Sequence, residues 1–208
     1  FDIYLDGRLS NDDDMFFIKK YSEYSCDKKE KLKFDYSNEP IIGLSDYVPI
    51  ELLRFNKSEE FEMMIRIMVW VHKFLLPDAL AIPIYPFNCI NILEKTKAEN
   101  IKSNCWMYAI VLNEIFLSIG FKSRMVRCMP IDLRFDDCHC VTQAYSDQYN
   151  KWILFDASMG TYYTDVNKVP LSISELRLSI IDDKKFFTPF IPSRKFKQVY
   201  GYWIKNLF

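Results

Sequence analysis

Apolar residues recur at three- and four-residue steps between positions 57 and 76. Phe61, Met64, Ile65, Met68, His72 and Leu75 fall on one stripe, which predicts an amphipathic helix. Asn56 or Ser58 can cap it, Glu59 and Glu60 suit its first turn, and Pro77 ends it. The stretch from Cys105 to Ile119 differs: it is apolar nearly all round, as expected of a helix buried at the centre of a domain. Ser103 or Asn104 can cap its start, and Gly120 stands where a left-handed cap is wanted. Residues 82–92, with Pro83 and Pro86, read as a loop. Three runs rich in Val, Ile, Thr, Tyr, Trp and Phe follow, at 122–131, 138–146 and 151–158, and read as strands. The polar tetrad Asp147-Gln148-Tyr149-Asn150 joins the last two as a hairpin, and Ser172-Ile173-Ser174-Glu175 reads as a capping box opening a short helix. A central helix followed by antiparallel strands is an α+β order, not a βαβ one.

Around this core the pattern weakens. Residues 1–56 are expected to form an extension packed on a domain spanning 57–208, with Phe16, Phe17 and Ile18 as anchors, and the aromatic tail from 186 is expected to pack back on the domain. The 208 residues are 50% hydrophobic, enough for one sizeable core. A net charge of −1 leaves no footprint for nucleic acid. The run Lys28, Lys29, Lys31 and Lys33 is broken by Glu30 and reads as a solvated face. No apolar run reaches the ~18 residues of a membrane span. The first residue is Phe1, so a processed N-terminus and a removed signal peptide are compatible with the sequence. Most of the six cysteines sit in apolar segments, which favours a reducing, cytoplasmic setting over a secreted or periplasmic one.

Candidate chemistry enters with Cys105. At the first turn of a helix a thiol meets unpaired backbone N–H groups and the positive end of the helix dipole, and both favour the nucleophilic thiolate. The N–H groups of Cys105 and Trp106 are candidate oxyanion donors. A side-chain donor is also expected, with Trp70, Asn88, Asn91 and Asn104 as the open candidates. A cysteine nucleophile needs a base, and the chain has two histidines. His72 lies on the apolar stripe of its helix and reads as a core or boundary residue. His139 opens a strand after a polar segment, at an open end of the sheet. Asp156 closes the apolar run Trp152-Ile153-Leu154-Phe155, where a carboxylate is costly unless paired. A two- or four-residue hairpin turn sets His139 either opposite Asp156 or opposite Ser158 with Asp156 as its diagonal neighbour. Both registers put His139 and Asp156 on one face, within reach.

The run Ser103-Asn104-Cys105-Trp106 into an apolar helix, then Gly120 to Val126, then His139 on a strand, then Trp152 to Asp156, resembles the transglutaminase-like superfamily, whose fold is related to papain. The resemblance covers roughly residues 58–178, and Tyr162 to Asp165 followed by Leu171 to Arg177 is similar to the continuation in bacterial members. It implies a catalytic helix packed on an antiparallel sheet, with Cys105 as nucleophile, His139 as base and Asp156 as orienting acid. It implies a peptide or protein substrate whose amide carbonyl passes through a thioester, and neither metal nor organic cofactor. The family includes peptidases, amide hydrolases and cross-linking enzymes. With no amine-binding module in evidence, hydrolysis is favoured over acyl transfer. Ser103, Cys140, Val141 and Ala157 stand where the family often has Gly, a small residue, an aromatic and Pro.

Two other readings compete. Cys138, His139 and Cys140 with Cys128 could serve zinc, but on a strand Cys138 and Cys140 face away from His139, and metal sites favour a Cys-x-x-Cys turn. A catalytically inactive binding or structural domain could also keep the fold.

Overall fold

A computed structural model describes residues 16, 18–20, 36, 40–54, 56–129 and 138–189. The protein is a mixed assembly of helices and sheets. In chain order the helices are α1 (Glu60–Phe74), α2 (Cys89–Glu99), α3 (Cys105–Ser118) and α4 (Ile173–Ile181), with short 3-10 turns before α1. The strands are β1 (Leu76–Pro77), β2 (Lys102–Ser103), β3 (Ser123–Cys128), β4 (His139–Ser146), β5 (Lys151–Asp156) and β6 (Thr161–Tyr162). β1 and β2 form a small parallel pair, while β3-β4-β5-β6 is a fully antiparallel sheet.

Alternation along the strands divides the core in two. Ala144, Ile153 and Phe155 point to one face and join the buried side chains of α1, α2 and α3. Cys128, Val141 and Leu154 point to the other and are covered by Ile173, Leu176 and Ile180 of α4 with Tyr163 and Leu171. α3 is the centre of the larger cluster. Met107 to Leu112, Ile115 and Phe116 are all buried, as its nearly uniform hydrophobicity requires. Tyr108, buried with them, donates its hydroxyl to the Leu75 carbonyl at 2.9 Å and ties α3 to the end of α1.

The helix ends follow local chemistry. Asn104 caps α3, its Oδ1 accepting from Met107 N at 3.1 Å. At the other end Gly120 takes φ 103°, and Phe121 N reaches back to the Phe116 carbonyl. Asn56 caps the 3-10 turn that leads into α1, and Ser172 with Glu175 forms the expected capping box of α4.

Three elements differ from the sequence reading. The stretch expected as a loop to residue 92 turns helical at Cys89, because Cys89, Ile92, Leu93 and Thr96 form a buried stripe behind an Asn88 cap. The Cys89 N–H, at the start of α2, is bound by the Glu114 carboxylate of α3 at 2.7 Å. The first helix stops at Phe74, since Leu75 is already extended before Pro77. Of the anchors expected near the N-terminus, Ile18 is fully buried and Phe16 is exposed, while Phe17, most of residues 1–39, the 130–137 segment and the tail from 190 lie outside the described residues. No described helix is long and apolar enough to cross a membrane.

Candidate active site

The hairpin decides the geometry of the site. β4 and β5 pair with Thr142 opposite Phe155 and Ser146 opposite Lys151 across the four-residue turn. That register makes His139 and Asp156 diagonal neighbours on one face, and His139 Nε2 meets Asp156 Oδ2 at 2.7 Å. Both are buried. The second carboxylate oxygen is also occupied: Asp156 Oδ1 accepts from Ser158 Oγ at 2.8 Å and from Met159 N at 3.0 Å. Burial pushes the Asp156 carboxyl up, but His139, Met159 and Ser158 outweigh it and hold the pKa below the ordinary carboxylate range.

With Nε2 on Asp156, Nδ1 is the ring nitrogen of His139 left for a second partner. Burial alone would lower the imidazole, yet the Asp156 charge and hydrogen bond, then the Cys105 hydrogen bond and charge, raise it to about 10. Cys105 is the first residue of α3 and partly exposed. Its sulfur lies 3.9 Å from the Cys138 carbonyl oxygen, at the entry to β4. A hydrogen bond from the Cys140 thiol has the largest effect on it. Burial works against that bond, while the bond and charge of His139 and the Cys140 backbone N–H add to it, bringing Cys105 down to about 4. Both shifts favour the charged forms, a Cys105 thiolate and a protonated His139 ring, with the Asp156 carboxylate behind the ring. In α3 the first intrahelical bond runs from Tyr108 N to the Asn104 carbonyl, and Asn104 Oδ1 takes Met107 N. The N–H groups of Cys105 and Trp106 precede both, beside the sulfur.

The four side-chain candidates for an oxyanion donor have these contacts. Asn104 Nδ2 donates to the Ala81 carbonyl at 2.9 Å, Asn91 Nδ2 to the Pro86 carbonyl at 3.0 Å, Asn88 caps α2, and Trp70 stacks on Phe74. Trp106 packs instead on Phe87, and Phe87 on the exposed Tyr85, so an aromatic row runs from the residue after Cys105 to solvent. A cavity of about 420 Å³ lined by Pro86, Asn91, Glu94 and Glu114 includes none of Cys105, His139 and Asp156. Among the described residues no group of three or more His, Cys, Asp or Glu side chains is arranged to hold a metal ion.

Two residues acquire roles that the sequence did not suggest. Cys140 does face away from His139 along the strand, but it shares the face of Thr142, which packs on α3, and its thiol favours the charged form of Cys105. His72, half-buried at the boundary of the core, donates Nδ1–H to the Ala157 carbonyl at 3.0 Å and braces the turn after Asp156. Gly160 closes that turn at φ 65°, and a Cβ there would lie 2.6 Å from the His72 ring. Gly160→Ala is expected to destabilise the protein by roughly 2–4 kcal/mol through overpacking and left-handed strain. Urea unfolding checks it, and a loss below ~0.5 kcal/mol would contradict the bracing.

No family model matches this chain, and no curated protein matches it. The chain is similar to a solved structure of a putative cysteine protease from Cytophaga hutchinsonii, at 14% identity and a TM-score of 0.34. That likeness covers 64% of this chain and 49% of the other, so the chain spans about half the length of that structure.

Proposed function

We propose that the protein is a cysteine-dependent hydrolase of peptide or amide bonds, with a transglutaminase-like, papain-related arrangement of helix and sheet and the division into an extension (1–56) and a domain (57–208). The reading is supported by the His139 ring, bound to Asp156 through Nε2, and by the mutual influence of His139 and Cys105, which favours the charged form of each. A merely structural histidine, such as His72, has no need of a lowered thiol on one side and a buried carboxylate on the other.

The steps follow from the geometry. The Cys105 thiolate attacks the carbonyl carbon of the scissile amide, and the carbonyl π electrons move onto oxygen, towards the N–H groups of Cys105 and Trp106. Collapse of the tetrahedral adduct breaks the C–N bond. The imidazolium of His139 gives its proton to the departing amine and is left neutral. A water then attacks the Cys105 thioester, giving its proton to His139, and the C–S bond breaks to return the thiolate and release a carboxylic acid. Asp156 keeps the ring oriented and stabilises its charged form throughout. Hydrolysis is favoured over acyl transfer: incubation of a cleaved peptide amide with a primary amine is expected to yield the acid, and a dominant amide adduct would reverse that assignment.

The direct test needs no known substrate. Iodoacetamide alkylation of Cys105, followed by peptide mass spectrometry, is expected to be nearly flat with pH between the values of about 4 for the thiol and about 10 for His139. An ordinary thiol would slow tenfold per unit below ~8.5. A profile of that second kind would remove the ion pair and with it the mechanism.

A further inference from the structure

Cys140 forms and breaks no bond in the hydrolysis proposed above, yet it is a buried thiol on the strand that packs against the helix of the nucleophile. Its position follows from the packing of β4 on α3. Thr142 Oγ1 donates to the Ala109 carbonyl at 3.2 Å, so these two residues mark where strand and helix touch. One helical turn back from Ala109 is Cys105, ~6 Å along the axis. Two strand residues back from Thr142, on the same face, is Cys140, ~6.6 Å along the strand. The two elements run in the same sense there, as the Cys105 sulfur beside the Cys138 carbonyl requires. Matched steps bring the two cysteines to facing positions of α3 and β4. None of the five described cysteines is joined in a disulfide.

We propose that Cys105 and Cys140 form a reversible redox pair in which a hydroperoxide converts the nucleophile to a disulfide and reduction restores it. The Cys105 thiolate attacks the nearer peroxide oxygen, the O–O bond breaks, and the departing oxygen leaves as water or an alcohol after taking a proton, giving a sulfenic acid. The Cys140 sulfur then attacks the Cys105 sulfur. The S–O bond breaks, and hydroxide leaves with the Cys140 proton as a second water. Two thiols lose one electron each, and the peroxide gains both. A small-molecule dithiol reverses the reaction by exchange. Burial of Cys140 keeps it from external oxidants, while Cys105, partly exposed and charged, is the sulfur they reach first.

The proposal needs the Cys105 thiolate of the preceding section but not its substrate. The full chain is treated with hydrogen peroxide, alkylated with iodoacetamide and digested without reductant. The expected result is a cross-linked peptide joining Cys105 to Cys140, near-complete loss of Cys105 alkylation, and full recovery after dithiothreitol. In Cys140→Ala and Cys140→Ser, with folding verified by circular dichroism, peroxide is expected to drive Cys105 on to sulfinic and sulfonic acids that dithiothreitol does not recover. Rapid, pH-flat alkylation of Cys105 with no Cys105–Cys140 peptide, or a link to Cys138 instead, would overturn the pair and leave the hydrolase reading intact. Slow, ordinary alkylation of Cys105 would sink both.

Discussion

Cys105→Ala is expected to abolish amide hydrolysis, with a loss in turnover on the order of 10⁶ if the chemical step is rate-limiting, as when one member of a cooperating nucleophile set is removed. The expectation rests on one sulfur receiving three favourable influences together: the Cys140 thiol, the His139 imidazolium and the start of α3. No other described cysteine has them. Burial pushes Cys89 and Cys128 up, Cys128 to about 12, and Cys140 is raised as the donor to Cys105. Iodoacetamide labelling at pH 5, where ordinary thiols are silent, is expected to vanish in the variant. Substrates come from a screen of fluorogenic peptide amides. Cys105→Ser is the stricter comparison, since it keeps shape and polarity but loses the easily ionised thiol. A serine variant with wild-type turnover would show that the cleavage runs through some other group.

Asp156→Ala is expected to cost roughly 3–5 kcal/mol of folding stability, because it leaves a buried cation without its partner. Ser158 Oγ and Met159 N lose their acceptor in the same substitution. The effect depends on pH in a defined way. His139 is raised in the folded state to about 10, so its contribution is complete below its unfolded value of ~6.5 and is lost as pH rises through about 10. Asp156 is depressed, so its contribution is present above ~3.9 and is lost as pH falls through its lower folded value. The gap between wild type and variant is therefore widest from about pH 4 to 6.5 and narrows on both sides. Urea titrations at pH 5.5 and pH 10 measure it, and an equal gap at both would mean that the carboxylate is not paired with a charged ring. Asp156→Asn keeps the volume and is expected to restore part of the stability but not the flat alkylation profile, because an amide does not hold the imidazolium.

The candidate site was legible to an unequal degree. Cys105 was visible because a cap residue, Asn104, precedes a run too apolar to lie anywhere but the core, which puts the thiol at a buried helix start. The pairing of His139 with Asp156 was legible because a four-residue polar turn leaves only registers that share a face, whichever of the two is adopted. The surroundings of Cys140 were not legible. Alternation told that it faces away from His139, but not that the helix carrying Cys105 covers that side. α2 was missed because two prolines dominate the segment before it, while its stripe of Cys89, Ile92, Leu93 and Thr96 is short and mixed with polar residues. His72 was read as a core or boundary residue and is half-buried, yet its contact with Gly160 joins positions 88 apart in the chain, beyond any local pattern.

The sequence by itself determined what is governed by neighbours along the chain: the period of each element, its caps, the shared face of His139 and Asp156, and the thiol at a helix start. These depend on backbone geometry and on side-chain alternation, which act over a few residues. Only the tertiary structure decided which helix lies on which face of the sheet, and so which thiol meets the nucleophile and which ring braces the turn beyond Asp156. Those contacts arise from burying two apolar faces against each other, a choice made by the shapes of distant surfaces that no local pattern encodes.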